Sequence, residues 1–441
     1  MSGSSIAIVG GGAGGIFAAL AACGMAKRES LPNTVHLFER NPRLGIKILI
    51  SGGGKCNITH AGPVETMLHE GFPRVLEQRF LRSAMYRYTN DDVLALLARH
   101  HLECYTRENG RVFPKSGRAE HVLEVLEKEL HSEGVILHTH SRIESTAFVG
   151  NECLLTCQGK TFAARALILA TGGTSYSKTG TTGDGIHYAA ELGHSIVPLR
   201  AALAPIYLKQ PPTQATIGIS FRDAELYVTR TDAPSPAQKI LARARGDILL
   251  THRGLSGPAV LGISNEAAKR MESGPISIEV NLLGIAEDAL RERLIGEQQA
   301  RPQQQVSRWL EEMLPNSFVP VVLESANIPK ERRWNALTRE ERQRIGVTLL
   351  RYPFGAVSEI PLERGEVTSG GVALDEVDPK TMMSRLRPGL FFAGEMLDLA
   401  GEIGGYNLQA AYSTGWIAGE EAVRFLSGSG GLRGHFTGLL A

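Results

Sequence analysis

Residues 7–15 read AIVGGGAGG, and five of the six positions from 10 to 15 are glycine, set between an apolar run and the helix-prone stretch IFAALAA. A chain that gives up side chains there needs its backbone to come very close to something. Ile6, Ala7, Ile8 and Val9 suit a strand covered on both faces, as in a parallel sheet. Gly10, Gly12 and Gly15 keep G-x-G-x-x-G spacing, and residues 16–26 read as a helix. In that setting the first glycine permits the tight turn, the second lets backbone reach a pyrophosphate, and the third lets helix pack on strand. The N–H groups of Ala13, Gly14 and Gly15 and the positive end of the helix dipole then face phosphate. A second strand, Thr34–Phe38, ends at Glu39, 24 positions beyond Gly15, close to the spacing of a carboxylate that holds a ribose hydroxyl. Glycine clusters also make plain turns, but two strands, a helix and an acid together predict a dinucleotide site.

A plain nicotinamide fold has no evident use for a second glycine run, yet residues 52–54 supply one inside KILISGGGKCNITH. It makes sense if a long ligand leaves the first turn and meets more backbone. Ser51, Gly52, Gly53 and Asn57 are then contacts, with Arg40, Lys47 and Lys55 as charges for phosphate or a flavin anion. The runs VILHTHSRI, CLLTC and ALILA read as a β-meander, with bends at Gly150-Asn151 and Gln158-Gly159. Ile143 lies in the first run, and the last enters Ala170-Thr171-Gly172, another close backbone approach. No second complete G-x-G-x-x-G appears there, so one large cofactor fits better than two. Near the end, an apolar strand stops at Gly394-Glu395 and a helix starts near Asn407, Leu408 and Gln409. N–H groups at that helix start suit negative charge on the N1–C2=O edge of a reduced flavin. FAD is therefore expected to span both ends of the chain, with NAD(P)H at most a transient electron donor.

Composition narrows the partners. The formal net charge is +1, which argues against nucleic acid. No apolar run approaches the about 18 residues of a membrane span, and the MSGSS start lacks the basic residues of a signal peptide, so a cytoplasmic protein without membrane contact is expected. Five scattered cysteines give neither a disulfide framework nor a metal set. After about residue 198 short β-rich segments suit a barrel or sandwich, and residues 285–355 turn helical, with Thr338 and Glu341 as a capping box. The expected organisation is a FAD-binding domain from 1–197 and 356–441, a β-rich substrate domain from 198–284 and a helical cap from 285–355. A cleft between cofactor domain and insert would take a small-molecule substrate. GSGGLRG near the C-terminus reads as a tail.

The catalytic candidates lie beside the glycine-rich segments: Tyr176 and Tyr406 as proton donors, with Lys178 a weaker one, and Arg111 as the group that binds a substrate carbonyl or carboxylate. Ring stacking for the tyrosines and a salt bridge for Arg111 are the plainer alternatives. Cys56 adjoins the cofactor contacts, but without a partner cysteine nearby it reads as a buried thiol.

Almost the whole chain resembles the HI0933-like family of bacterial flavoproteins, also called BaiN-like or YhiN-like. The resemblance is carried by IVGGGAGG, KILISGGGKCNITH, GRVFP, ILATGGTSYSKTGTTGDG, THRGLSGPAVL, VTSGGVALDEVDPKTMMSRL and GEMLDLAGEIGGYNLQAAYSTGWIAG, in that order. It implies an α/β fold: a Rossmann-like FAD domain related to glutathione reductase and fumarate reductase, interrupted by a β-barrel-like insert and a small helical domain. It also implies a FAD-dependent oxidoreductase that reduces enones in steroid-like acids or oxidises amino-ketones. Ala400 stands where the family often carries an acid. An RNA-modifying flavoprotein and a FAD-bound scaffold without turnover are the competing expectations.

Overall fold

The computed structural model describes residues 5–32, 34–231 and 239–428. The glycine-rich tail from 429 onward therefore lies outside the described residues. Contacts divide the chain into two units, Met1–Leu199 with Val367–Ala441, and Arg200–Glu366.

The first unit is built on a parallel sheet of five strands, in the order Leu390–Phe392, Ala166–Leu169, Ser5–Val9, Thr34–Phe38, Ile136–His138. Ser5–Val9 is fully buried, as its unbroken apolar run requires of a central strand covered on both faces. The chain then turns through the glycines into the helix Ala13–Arg28. A second long helix, Tyr406–Ser427, packs along the first so tightly that only glycine fits. A Cβ on Gly415 would stand 2.2 Å from the Gly14 carbonyl oxygen, and one on Gly419 would stand 2.1 Å from that of Ala18. The meander exists, but its strands are Ile143–Val149, Glu152–Cys157 and Lys160–Ala164. The run VILHTHSRI splits at 139–142, its first half joining the parallel sheet, and ALILA also belongs to that sheet. Uninterrupted burial of Ala166–Leu169, against a Lys160–Ala164 strand that starts exposed and becomes buried only at Ala164, is the physical difference between them.

The second unit holds a closed six-stranded barrel, with Tyr352–Glu359 pairing both Ile276–Asn281 and Ile206–Leu208. The return to the first unit therefore comes at Val367 rather than at 356, since a chain that left the barrel earlier would open the sheet. The helices between 285 and 355 share one core with the barrel: Trp309, Trp334 and Ile345 pack in the same cluster as Leu226 and Val280. Thr338 and Glu341 do close a capping box on the helix Arg339–Leu350.

Candidate functional site

A groove with about 640 Å³ of free space runs over the carboxyl ends of the central strands, lined by the glycine turn and by Glu39, Arg40, Lys47, Ile143 and Thr171. Its floor is backbone. Gly12 caps the first helix without any side-chain acceptor, and the first intrahelical bond is from the Ile16 N–H to the Gly12 carbonyl, which leaves the N–H groups of Ala13, Gly14 and Gly15 without helical partners. A Cβ on Gly15 would lie 1.8 Å from the Gly10 carbonyl oxygen, whereas one on Gly12 would meet no atom within 4 Å and point into free space. Gly14 faces Ala393 instead, and Ala170 donates its N–H to the Val9 carbonyl at 2.8 Å, so these two shape the floor from behind. Gly172 follows with φ +76°, a left-handed turn at the head of the next loop.

Glu39 closes the second strand. Its two carboxylate oxygens accept the N–H groups of Gly11 and Asn41, each at 2.8 Å. Burial lifts this carboxyl above the usual range, against the pull of those donors. Arg40 donates to Thr182 and to Asp184, and Arg142 also donates to Asp184. Burial raises the Asp184 carboxyl, but the Arg142 and Thr182 donors and the two guanidinium charges outweigh it and hold it below the ordinary value. Lys47 donates to Ser175 Oγ at 2.8 Å and to Glu395 at 2.6 Å. Two expected cofactor residues from opposite ends of the chain thus pair with each other. The other Glu395 oxygen accepts the Thr368 N–H at 2.7 Å. Thr171 Oγ1, beside this groove, is buried and has no hydrogen-bond partner among the described residues.

The second glycine run interrupts the helix Ile46–Gly54: Ser51 leaves helical geometry, and Gly52, Gly53 and Gly54 have φ of +56°, +67° and +82°. Their backbone is exposed, while the Ser51 hydroxyl turns back to the Ile48 carbonyl. Asn57 reaches across the unit. In the amide orientation that satisfies both ends, its oxygen accepts the Gly405 N–H at 2.9 Å. Thr59 donates to Gln409 Oε1 at 2.7 Å. These two bonds tie the second glycine run to the start of the C-terminal helix. There Gly394 donates its N–H to Thr414 Oγ1, fixing the strand end to the helix. The Asn407 side chain spans the Gly401 N–H and carbonyl, each at 2.8 Å, and so closes its own loop. Gln409 is fully buried, and its N–H goes to the Gly405 carbonyl. Of the three helix-start residues singled out in the sequence, Asn407 and Leu408 keep free first-turn N–H groups and Gln409 does not.

Tyr406 stacks on His60 with ring centroids 4.7 Å apart. Burial raises its phenol above the ordinary value, with Glu70 adding to the shift and Arg111 opposing it. Arg111 sits on the strand beside His60 and, among the described residues, its guanidinium has no ion pair or hydrogen-bond acceptor. The salt bridge entertained for Arg111 is absent there. Tyr176 holds φ +52°, an uncommon conformation for an aromatic residue, and its carbonyl accepts the Thr179 N–H. Cys56 is fully buried and its thiol is pushed up to about 12 by burial, which removes it from thiolate chemistry.

Sequence reasoning missed the clamp behind this loop. Arg74 donates to both carboxylate oxygens of Asp398, at 2.7 and 3.0 Å, and to Glu77 at 2.6 Å. Glu77, completely buried, accepts the Ala400 N–H at 2.8 Å. Arg74 and Asp398 are 324 positions apart, and nothing in the local pattern of either announces the pair.

Free helix-end donors, a carboxylate at the second strand, an orphaned buried hydroxyl and glycines whose missing side chains leave the groove clear all fit FAD. Fold and site define a Rossmann-type FAD-dependent oxidoreductase. The chain belongs to the HI0933-like family, whose Rossmann-domain description matches residues 4–421. It is 31% identical over 431 residues to the 3-dehydro-bile acid delta(4,6)-reductase of Clostridium scindens, covering 95% of this chain and 98% of that one. It is 30% identical over 417 residues to the ribosomal RNA dihydrouridine synthase of Escherichia coli, covering 94% and 97%. Among solved structures, the fumarate reductase subunit FrdA of E. coli matches with a TM-score of 0.50 at 16% identity, over 97% of this chain and 71% of that one. The 3-ketosteroid delta1-dehydrogenase of Sterolibacterium denitrificans also gives 0.50, at 13% identity over 95% and 99%, and these two likenesses concern the fold alone. Among the described residues no helix is long and apolar enough to cross a membrane.

Proposed function

We propose that this protein reduces a carbon–carbon double bond conjugated with a carbonyl in a small organic substrate of the enone type. The observation that carries this is the kinship with two relatives whose names share that chemistry. A delta(4,6)-reductase of a 3-dehydro bile acid saturates an enone, and a dihydrouridine synthase saturates the uracil bond next to a carbonyl. Bound FAD, once reduced, supplies hydride for such a bond. In this proposal the N–H groups of the glycine turn hold the pyrophosphate and Glu39 holds a ribose hydroxyl. The free N–H groups of Asn407 and Leu408 would hold negative charge on the flavin, while Arg111 would bind the substrate carbonyl and favour the negative charge that gathers on its oxygen.

Uridine in ribosomal RNA is the second reading, favoured by the 30% identity to the synthases over nearly the whole chain. The near-neutral charge of +1 offers a polyanion little attraction, which is why the small acceptor comes first. The test is anaerobic: purified protein is checked for a flavin spectrum, reduced, and mixed with a 3-oxo-delta4 steroid acid or with undermodified ribosomal RNA. Reoxidation of the flavin by the steroid, with a saturated product, supports the first reading, and dihydrouridine in the RNA supports the second. A colourless protein that FAD does not reconstitute overturns both.

A further inference from the structure

Three stretches of the first unit that are far apart in sequence meet beside Glu39. Arg40 and Asn41 follow it at the end of the second strand, Arg142 lies in the crossing 139–142, and residues 179–184 lead into the helix Asp184–Glu191. Arg40, Asn41, Arg142, Thr182 and Asp184 all line the groove. Their side chains fasten the three stretches to one another. The Asn41 amide donates to the Thr179 carbonyl at 3.0 Å, and Gly180, with φ +98°, passes so close that a Cβ there would collide with the same amide. Arg40 donates to the Thr182 hydroxyl and, at 3.3 Å, to Asp184. Arg142 donates to both oxygens of Asp184, at 2.8 and 3.3 Å, and the Thr182 hydroxyl adds a third donor at 2.9 Å. One carboxylate thus holds two guanidiniums that approach from different segments.

The loop has little else to hold it. Between Tyr176 and Asp184 only Thr181 is buried, so side-chain bonds rather than a core fix its position, as in segments that open locally. The Arg40, Arg142 and Asp184 side chains are 31%, 60% and 21% exposed. Pairs as wet as these add little to global stability, yet several charges acting as a network can still set a local opening. Once parted, the three charges are taken up by water, which keeps the opening reversible.

We propose that Arg40, Arg142 and Asp184 form a clasp at the adenosine end of the groove, which parts when the loop 176–184 lifts and so sets how long FAD stays bound. This rests on the FAD placement proposed above, with Glu39 on the ribose, and not on the substrate assigned there. Arg40, expected from the sequence to meet phosphate, then has a different task. Its charge, like that of Arg142, is matched by Asp184 within the protein.

The test dilutes FAD-loaded protein and follows the freed flavin by its fluorescence, with association measured separately on apoprotein. Asp184→Asn and Arg142→Ala are each expected to release FAD about tenfold faster, the reach of a small charge network, with association altered by under about threefold. The double variant should release FAD no faster than Asp184→Asn alone, because that substitution already opens the clasp. Wild-type release should quicken with added salt, and Asp184→Asn should lose most of that response. Melting of the apoproteins checks the fold, and Arg142→Ala, which removes an exposed side chain, keeps the test decisive if Asp184→Asn disturbs the helix start. An Asp184→Asn protein that holds FAD more tightly would show the carboxylate competing with phosphate for the guanidiniums, and overturns the clasp. Release as slow as wild type in Arg142→Ala, or a double variant whose losses multiply, overturns it as well. A wild-type chain that takes up no FAD overturns the placement of the cofactor, and the clasp with it.

Discussion

Two helices from opposite ends of the chain touch through glycine, and that contact can be perturbed with a known sign. Gly419 lies where a Cβ would be 2.1 Å from the Ala18 carbonyl oxygen and 3.0 Å from the Ala21 Cβ. Ordinary contact begins at 3.4 Å, so Gly419→Ala must move one helix by about 1.3 Å, and the obstacle is backbone that cannot rotate away. Overpacking of this kind costs about 3 kcal/mol at its upper end, while alanine regains about 1 kcal/mol of helix propensity, leaving a net loss of about 2 kcal/mol. For a unit of this size that is a melting temperature lower by about 4–8 °C. Gly24 supplies the control. It lies on the facing helix Ala13–Arg28, but a Cβ there meets nothing within 4 Å, so Gly24→Ala should stabilise by up to about 1 kcal/mol. Scanning calorimetry of both variants reads the difference. Shifts of the same sign, or a Gly419→Ala protein as stable as wild type, would refute the claim that backbone contact sets the helix spacing.

Glu39→Ala should weaken FAD binding by about 10–100-fold, the worth of one hydrogen bond to a charged group, and titration of apoprotein with FAD checks it. His36 Nδ1 and His138 Nε2 are 2.9 Å apart, and both rings titrate below the ordinary 6.5, through burial and, for His36, the neighbouring ring as well. The unfolded chain then takes up protons that the folded one resists, so stability should be complete above about pH 6.5 and fall as pH drops below it, with a shallower fall in His36→Leu, measured as melting temperature against pH. Thr338→Ala should cost about 1 kcal/mol by removing the capping box of Arg339–Leu350, read as a lower urea midpoint for the second unit.

The parts of the fold legible in the sequence are those with local chemistry. Glycine at fixed offsets, an unbroken apolar strand and an acid at a strand end announce themselves within 35 residues, and the strands Ser5–Val9 and Thr34–Phe38 follow from that pattern. The meander is less legible, because the short run Lys160–Ala164, exposed at its start and buried at its end, carries no clear period to set it apart from the buried Ala166–Leu169. The barrel itself was expected, but its closing strand was not, since Tyr352–Glu359 completes a sheet begun at Ile206 and pairing across that distance leaves no local trace. In the site, backbone contacts were readable through glycine, while the partnership of side chains was not. Gln409 looks like a helix-end donor until Thr59 and Gly405 claim it.

Lys47 shows what such a partnership changes. In the sequence it reads as a cation for phosphate or flavin, yet its ammonium lies 2.6 Å from Glu395, with side chains only 25% and 19% exposed. The pair is close to neutral as a unit, so the anionic charge of FAD is met mainly by the N–H groups of the glycine turn. If Lys47 served FAD directly, Lys47→Met would weaken binding whatever stood at 395. If it serves by neutralising Glu395, Lys47→Met exposes an uncompensated, partly buried carboxylate, and the loss should disappear when Glu395→Gln is added. The two readings give different double-mutant cycles. The pairing predicts that Lys47→Met alone weakens FAD binding about tenfold or more, and that the double variant returns to within a few-fold of wild type. Losses that simply add would assign Lys47 to the cofactor and leave the contact with Glu395 without consequence for binding.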